Sequence, residues 1–171
     1  AAMNITHIIR GDDHLANTPK QLLLYEALGF EPPIFAHTSM ILGPDKAKLS
    51  KRHGDNFIGQ YREKGYLPEA MFNFLALLGW SPGGQEEILS KEEIIKSFSL
   101  EGVSKAPAVF DIGKLNWMNG VYIKKSSAER ITKLALPHLR AAGYIKDEIS
   151  DEDFKWLTKA VALVKDRLSY V

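Results

Sequence analysis

Apolar residues change their spacing along this chain, and the changes mark its elements. Residues 5–9, Ile-Thr-His-Ile-Ile, form a β-branched, apolar run that stops at Gly11-Asp12-Asp13. Such a run bounded by turn residues predicts a short buried strand. From residue 18 the spacing becomes helical. Leu22, Leu23, Leu24, Tyr25, Ala27 and Leu28 supply the apolar body. Thr18 is expected to cap this helix, with Gln21 closing a capping box and Pro19 at the first helical position. Gly29 suits a left-handed stop. Residues 34–42, Ile-Phe-Ala-His-Thr-Ser-Met-Ile-Leu, follow Pro32-Pro33 and predict a second strand. Strand, helix and strand within about 40 residues predict a βαβ unit with parallel strands.

Beyond Gly54 the pattern is helical. Pro68 opens an apolar helix through Met71, Phe72, Phe74, Leu75, Leu77 and Leu78, and Gly79 is expected to close it. Ser81-Pro82-Gly83-Gly84 reads as a loop. Ser90 and Glu93 form a capping box opening a helix from Lys91 to Phe98. Residues 99–122 read as irregular. Ser126 and Glu129 suggest another capping box before Ile131, Leu134, Ala135 and Leu139, with Gly143 as the stop. A last helix from about Asp151 carries Phe154, Leu157, Val161, Val164 and Leu168 on one stripe. Trp80, Trp117 and Trp156 read as core residues rather than base-stacking platforms. The expected class is therefore α/β followed by mostly α, with boundaries near residues 54 and 122.

Composition narrows the function classes only a little. The 171 residues are 45% hydrophobic and 25% charged, as in a globular protein. With 22 Lys+Arg against 21 Asp+Glu, the net charge of +1 makes no whole-chain case for nucleic acid. No cysteine is present, which excludes disulfides and thiolate metal sites within the chain and suits a reducing cytoplasmic setting. No apolar run approaches the roughly 20 residues of a membrane span, so no membrane partner is expected. Both ends read as cut, so an internal piece of a longer protein is expected.

Charge is concentrated at one place: Lys46, Lys48, Lys51 and Arg52 are four cations within seven residues, just after Gly43-Pro44-Asp45. A loop at the carboxyl end of a parallel strand is where α/β sheets bind ligands. Flexible ammonium groups there can neutralise charge developing on phosphate, and the Ser50 hydroxyl can donate to the same oxygens. A solvated surface loop is the competing reading. The Asp12-Asp13 pair lacks a visible third ligand, so no metal site is expected. His37 reads as a structural strand histidine.

The order of these residues carries a resemblance. Lys48-Leu49-Ser50-Lys51-Arg52 resembles the KMSKS signature of class I aminoacyl-tRNA synthetases, in the KLSKR form common among glutamyl enzymes. Thr6-His7-Ile8-Ile9-Arg10-Gly11-Asp12-Asp13-His14 and Asn17-Thr18-Pro19-Lys20-Gln21 resemble the preceding block of the glutamyl-tRNA synthetase family. Gly65-Tyr66-Leu67-Pro68-Glu69-Ala70, Leu77-Leu78-Gly79-Trp80-Ser81, Phe110-Asp111 and Lys114-Leu115-Asn116-Trp117-Met118-Asn119 are similar to its later blocks. The likeness runs in order over residues 4–140.

The resemblance implies the C-terminal part of a class I Rossmann catalytic domain over 1–53. It implies a helical stem-contact region over 54–121 and the start of a helical anticodon-binding domain over 122–171. It makes Lys51 the main pyrophosphate ligand, supported by Lys48 and Ser50. Arg10 would face the carboxylate of glutamate, unless it pairs structurally with Asp12 or Asp13. Asp13 and His14 would line the ATP site, and Leu42 would offer backbone groups to adenine. The implied activity is ligation of L-glutamate to tRNA(Glu) through a glutamyl-adenylate, with ATP and Mg2+ as substrate, in a monomeric cytoplasmic enzyme. The alternative is a tRNA-binding module without chemistry. Arg10 argues against a glutaminyl enzyme, and residues 122–171 against a truncated paralogue. None of the five histidines lies in a His-x-Gly-His context, so the family's first ATP motif is missing and the chain alone is expected to be inactive.

Overall fold

The computed structural model describes residues 2–50, 52, 54 and 57–171. It begins with a βαβ unit, as the apolar pattern predicts. Strand β1 (His7–Gly11) lies parallel to β2 (Ile34–Thr38), in a register running from His7 opposite Ile34 to Gly11 opposite Thr38. They are joined by a 3-10 turn (Asp12–Asn17) and helix α1 (Thr18–Ala27). The strand starts two residues later than the apolar run suggests, because pairing decides its bounds: Ile34 N donates to Thr6 O at 3.0 Å, and the ladder follows from there. Arg10 consequently sits inside β1 rather than beyond it.

The end of α1 is as expected. Gly29 has φ +68°, its N–H donates to Glu26 O at 3.0 Å, and Phe30 N donates to Tyr25 O at 2.9 Å. This double closure needs a left-handed residue at that point. The start of α1 differs. Asn17 is the N-cap, Thr18 is already helical, and no side chain caps the helix.

The run 34–42 is two strands, not one. It breaks at Ser39-Met40, and β3 (Ile41–Leu42) joins a separate sheet, parallel to β4 (Ala108–Val109). That strand lies in the stretch expected to be irregular. So does most of α5 (Ile112–Lys125), whose N-cap Asp111 accepts from Gly113 N at 2.8 Å and Lys114 N at 3.1 Å. Helix α5 runs unbroken through residues 121 and 122.

The remaining helices are α2 (Ile58–Glu63), α3 (Pro68–Leu77), α4 (Lys91–Ser97), α6 (Ala128–Ala141) and α7 (Asp151–Val164). The capping box of α4 forms as read: Ser90 Oγ accepts from Glu93 N at 3.2 Å, and Glu93 Oε2 accepts from Ser90 N at 2.7 Å. For α6 the cap is Ser127, which accepts from Arg130 N at 3.2 Å. Ser126 instead donates to Tyr122 O at 2.9 Å at the end of α5, while Glu129 pairs with Lys133.

The core belongs to the helical part. One cluster holds Tyr61, Tyr66, Met71, Phe74, Leu115 and Met118; a second holds Leu67, Ala70, Ile123 and Ile131; a third holds Trp80, Leu89 and Ile94. Trp80 is thus a core residue, but Trp117 and Trp156 are 50% and 67% exposed. Helix α5 buries Leu115, Met118, Asn119 and Ile123, a stripe of 3- and 4-residue steps that leaves position 117 outside it. Position 156 likewise falls off the half-buried stripe Phe154, Leu157 and Val161 of α7. Leu23 and Leu24 on α1 and its C-cap Leu28 are all more than half exposed.

Candidate active site

The site gathers at the carboxyl ends of β1 and β2. In the parallel register Arg10 lies opposite His37, so both side chains project from the same face. Phe35 is two residues before His37 on that face, and the two rings stack nearly parallel with centroids 6.5 Å apart. Helix α1 presents Thr18 and Gln21, one turn apart and therefore neighbours on its surface.

These residues surround one guanidinium. Arg10 Nε donates to His37 Nε2 at 3.3 Å. Its Nη2 donates to Thr18 Oγ1 at 3.0 Å and to Gln21 Oε1 at 2.8 Å. The guanidinium carbon lies 5.3 Å from the centre of the Phe35 ring, within cation–π range. Thr18 Oγ1 is also 3.2 Å from His37 Nε2. Thr18 and Gln21 are thus turned toward Arg10 rather than back to their own helix. That explains why the capping box read there does not form. Arg10 pairs with neither Asp12 nor Asp13 among the described contacts, against the structural ion pair considered from sequence.

Asp13 has another partner. The cationic loop leaves β3 as a tight hairpin in which Leu42 bridges Lys48 in antiparallel fashion. Gly43 N donates to Ala47 O at 2.8 Å, and Leu49 N to Ile41 O at 2.9 Å. Asp45 Oδ1 accepts from Ala47 N at 3.0 Å and steadies the turn, where Lys46 takes the left-handed φ of +60°. The hairpin carries Lys48 to the 3-10 turn after β1, and its Nζ donates to Asp13 Oδ2 at 2.9 Å. Both side chains remain largely in solvent. Donation from Lys48 holds the Asp13 carboxyl below the usual carboxylate range.

The other residues singled out from sequence are placed as follows. His14 is exposed on the same turn as Asp13, and Ser50 is half-buried just beyond Leu49. The carbonyl of Leu42 already accepts from Phe110 N at 2.9 Å. Lys51, the expected main phosphate ligand, lies outside the described residues. No group of three or more His, Cys, Asp or Glu able to hold a metal occurs among the described residues. Sequence reasoning read Thr18 and Gln21 as a helix cap, did not single out Phe35, and took His37 as a structural strand histidine, which its bonds to Arg10 and Thr18 agree with. The available signal was two uncharged polar residues three apart at the start of the helix, and a strand histidine opposite the strand arginine.

Two parallel strands joined by a helix, with a basic hairpin brought to the turn after β1, make up the described site. The chain belongs to the class I tRNA synthetases: the family described as "tRNA synthetases class I (E and Q), catalytic domain" matches residues 1–117. It is similar to the glutamate–tRNA ligase 1 of Thermoanaerobacter sp., with 64% identity over 171 residues that make up 100% of this chain and 35% of the relative. A glutamate–tRNA ligase of Desulforamulus reducens is 59% identical over 169 residues, 99% of this chain and 35% of that one. The chain thus spans about a third of the length of these relatives. Among solved structures it resembles a glutamate tRNA ligase from Elizabethkingia meningosepticum in complex with its amino acid. The TM-score is 0.80 and the identity 40%, covering 98% of this chain and 36% of that one.

Proposed function

We propose that this chain is part of a glutamate–tRNA ligase, which joins L-glutamate to tRNA(Glu) through a glutamyl-adenylate formed from ATP. The observation that carries this reading is the Lys48–Asp13 ion pair. It brings the hairpin that carries Lys48 onto the turn that follows Arg10, which supports one site served by a phosphate-neutralising loop and a carboxylate-seeking arginine.

In this reading Arg10 binds the side-chain carboxylate of glutamate. Adenylate formation breaks the bond between the α- and β-phosphates as the amino-acid carboxylate attacks the α-phosphorus, and charge accumulates on departing pyrophosphate. Lys51, with Lys48 and Ser50, stabilises that charge where it appears, which is where a fixed cation lowers the barrier most. Asp13 and His14 line the ATP pocket, and Leu42 flanks adenine through its backbone. Magnesium arrives with the phosphates as part of the substrate. Residues 1–53 form the C-terminal part of the Rossmann domain, 54–121 a helical stem-contact region against the inner L of the tRNA, and 122–171 begin the anticodon-binding domain. The enzyme is monomeric and cytoplasmic.

The test is ATP–pyrophosphate exchange by the full-length protein carrying this chain, with tRNA present, comparing glutamate with glutamine. Exchange with glutamate alone is expected. No exchange with either amino acid would leave a tRNA-binding relative that has kept the loop without the chemistry.

A further inference from the structure

Among the described residues, the Arg10 guanidinium is held by neutral groups alone. Thr18 supplies a hydroxyl, Gln21 a carboxamide and His37 a ring nitrogen, and none brings a carboxylate. An arginine kept for structure alone is ordinarily matched by an acid, because an unpaired charge removed from water is costly. Here Asp13, the nearest acid in sequence with a described partner, is engaged by Lys48 instead.

The donors are also divided. Both hydrogens of Nη2 are spent on Thr18 and Gln21, and the Nε hydrogen is spent on His37. His37 Nε2 must therefore be an unprotonated acceptor, with the ring proton on Nδ1. It takes a bond from Arg10 and faces the Thr18 hydroxyl at 3.2 Å. Nη1 has no partner among the described residues, so a carboxylate is offered one nitrogen with two hydrogens rather than the side-on fork expected of a bidentate arginine.

We propose that Gln21, together with Thr18 and His37, positions Arg10 and preserves its charge for an acidic substrate, with Gln21 setting specificity because it accepts from the guanidinium without neutralising it. The inference rests on the reading of Arg10 as the ligand for the glutamate carboxylate. Bracing the arginine and preserving its charge lead to opposite orders of effect in two variants. If Gln21 only braces Arg10, Gln21→Glu keeps the acceptor, strengthens the bond and does no harm, whereas Gln21→Leu removes the brace. If Gln21 preserves charge, the order reverses: Gln21→Glu supplies an internal carboxylate that competes with the substrate, and Gln21→Leu leaves the charge in place.

The experiment is steady-state pyrophosphate exchange by the full-length protein and both variants, with glutamate and ATP varied separately. Gln21→Glu is expected to raise KM for glutamate by about ten- to a hundredfold, the worth of one charge-assisted hydrogen bond. Its kcat and KM for ATP should stay near wild type and its melting temperature should not fall. Gln21→Leu should raise KM for glutamate less. A KM for Gln21→Glu equal to or below that of Gln21→Leu overturns the proposal while leaving the ligase reading intact. Absence of glutamate-dependent exchange in the unaltered protein sinks the ligase reading, and this inference with it. If Gln21→Glu fails to fold, Thr18→Asp brings a carboxylate to the same nitrogen and carries the same expectation.

Discussion

Lys48 Nζ donates to Asp13 Oδ2 at 2.9 Å, tying the hairpin after β3 to the turn after β1 across 35 residues of sequence. The pair is solvent-exposed, so its value is positional rather than energetic. Its pH dependence follows from the depressed carboxyl. A group whose folded pKa lies below its ordinary value contributes above that ordinary value and stops contributing as pH falls through the folded one. The contact should therefore persist at neutral pH and be lost only below about 3.8, the ordinary value for this carboxyl. Carboxyl NMR titration of Asp13 should show a midpoint below that value, moving upward in Lys48→Ala. The melting temperature should barely respond to Asp13→Asn. A midpoint unchanged by Lys48→Ala would mean that the hairpin does not rest on the turn in solution.

Lys51→Ala in the full-length protein should cut glutamate-dependent exchange by about a hundred- to a thousandfold, typical of removing one donor aimed at charge developing in a transition state. Affinity for tRNA should be nearly unchanged. If the loop instead grips RNA backbone, exchange survives, binding weakens, and the slope of log affinity against log salt shrinks by about one phosphate's worth.

How legible these features were depended on whether local or distant partners decide a side chain. Ser90 and Glu93 satisfy each other within four residues, so their capping box could be read directly. Ser90→Ala should destabilise the chain by about 1 kcal/mol, measured as a shift in the urea midpoint at constant slope. Thr18 and Gln21 have the same spacing, yet their partner is Arg10 on another element, and nothing local distinguishes the two cases. Ser126 and Ser127 are adjacent, and the cap fell to the second because the first is engaged by the last turn of α5. The run 34–42 is uniformly strand-like, but its tail pairs with Ala108–Val109, 67 residues away in sequence by the register, which periodicity alone does not detect. The exposure of Trp117 and Trp156 was within reach, since each lies off the stripe its own helix buries. Neighbouring Leu and Met argued for the core, and the helical phase argued against it.

Tyr122 joins helices α3 and α5 to the loop before α4. Its hydroxyl donates to Leu89 O at 2.7 Å and lies 3.0 Å from Asn73 Oδ1. Burial, then the nearby Glu69 and Glu93, push its pKa above the ordinary value, so the phenol stays protonated as a donor through the physiological range. Tyr122→Phe should cost about 1–3 kcal/mol, the penalty of leaving a buried acceptor unmet. Denaturant unfolding of the chain followed by circular dichroism measures it.

Asn119 should be the more sensitive position. It is fully buried on α5, its Oδ1 accepts from Leu67 N at 2.8 Å, and its Nδ2 donates to Ser169 O at 2.7 Å. Leu67 is the N-cap of α3 and offers no side-chain cap of its own, so the carboxamide satisfies one of the donors that every helix start leaves open. The second bond pins the segment after α7 against the same helix. One side chain thus ties three segments whose order in the chain is α3, α5 and the stretch following α7. Asn119→Leu, similar in size, removes both bonds and adds no partner, and should cost more than Tyr122→Phe: about 1–3 kcal/mol for each stranded backbone group. Asn119→Asp separates the two contributions, because a carboxylate still accepts from Leu67 N but cannot donate to Ser169 O when ionised. Its loss should therefore ease at acidic pH as the carboxyl gains a proton, while the loss in Asn119→Leu should not change. Equal pH profiles for the two variants would show that the introduced carboxyl is not desolvated, and would overturn this buried placement of Asn119 between Leu67 and Ser169.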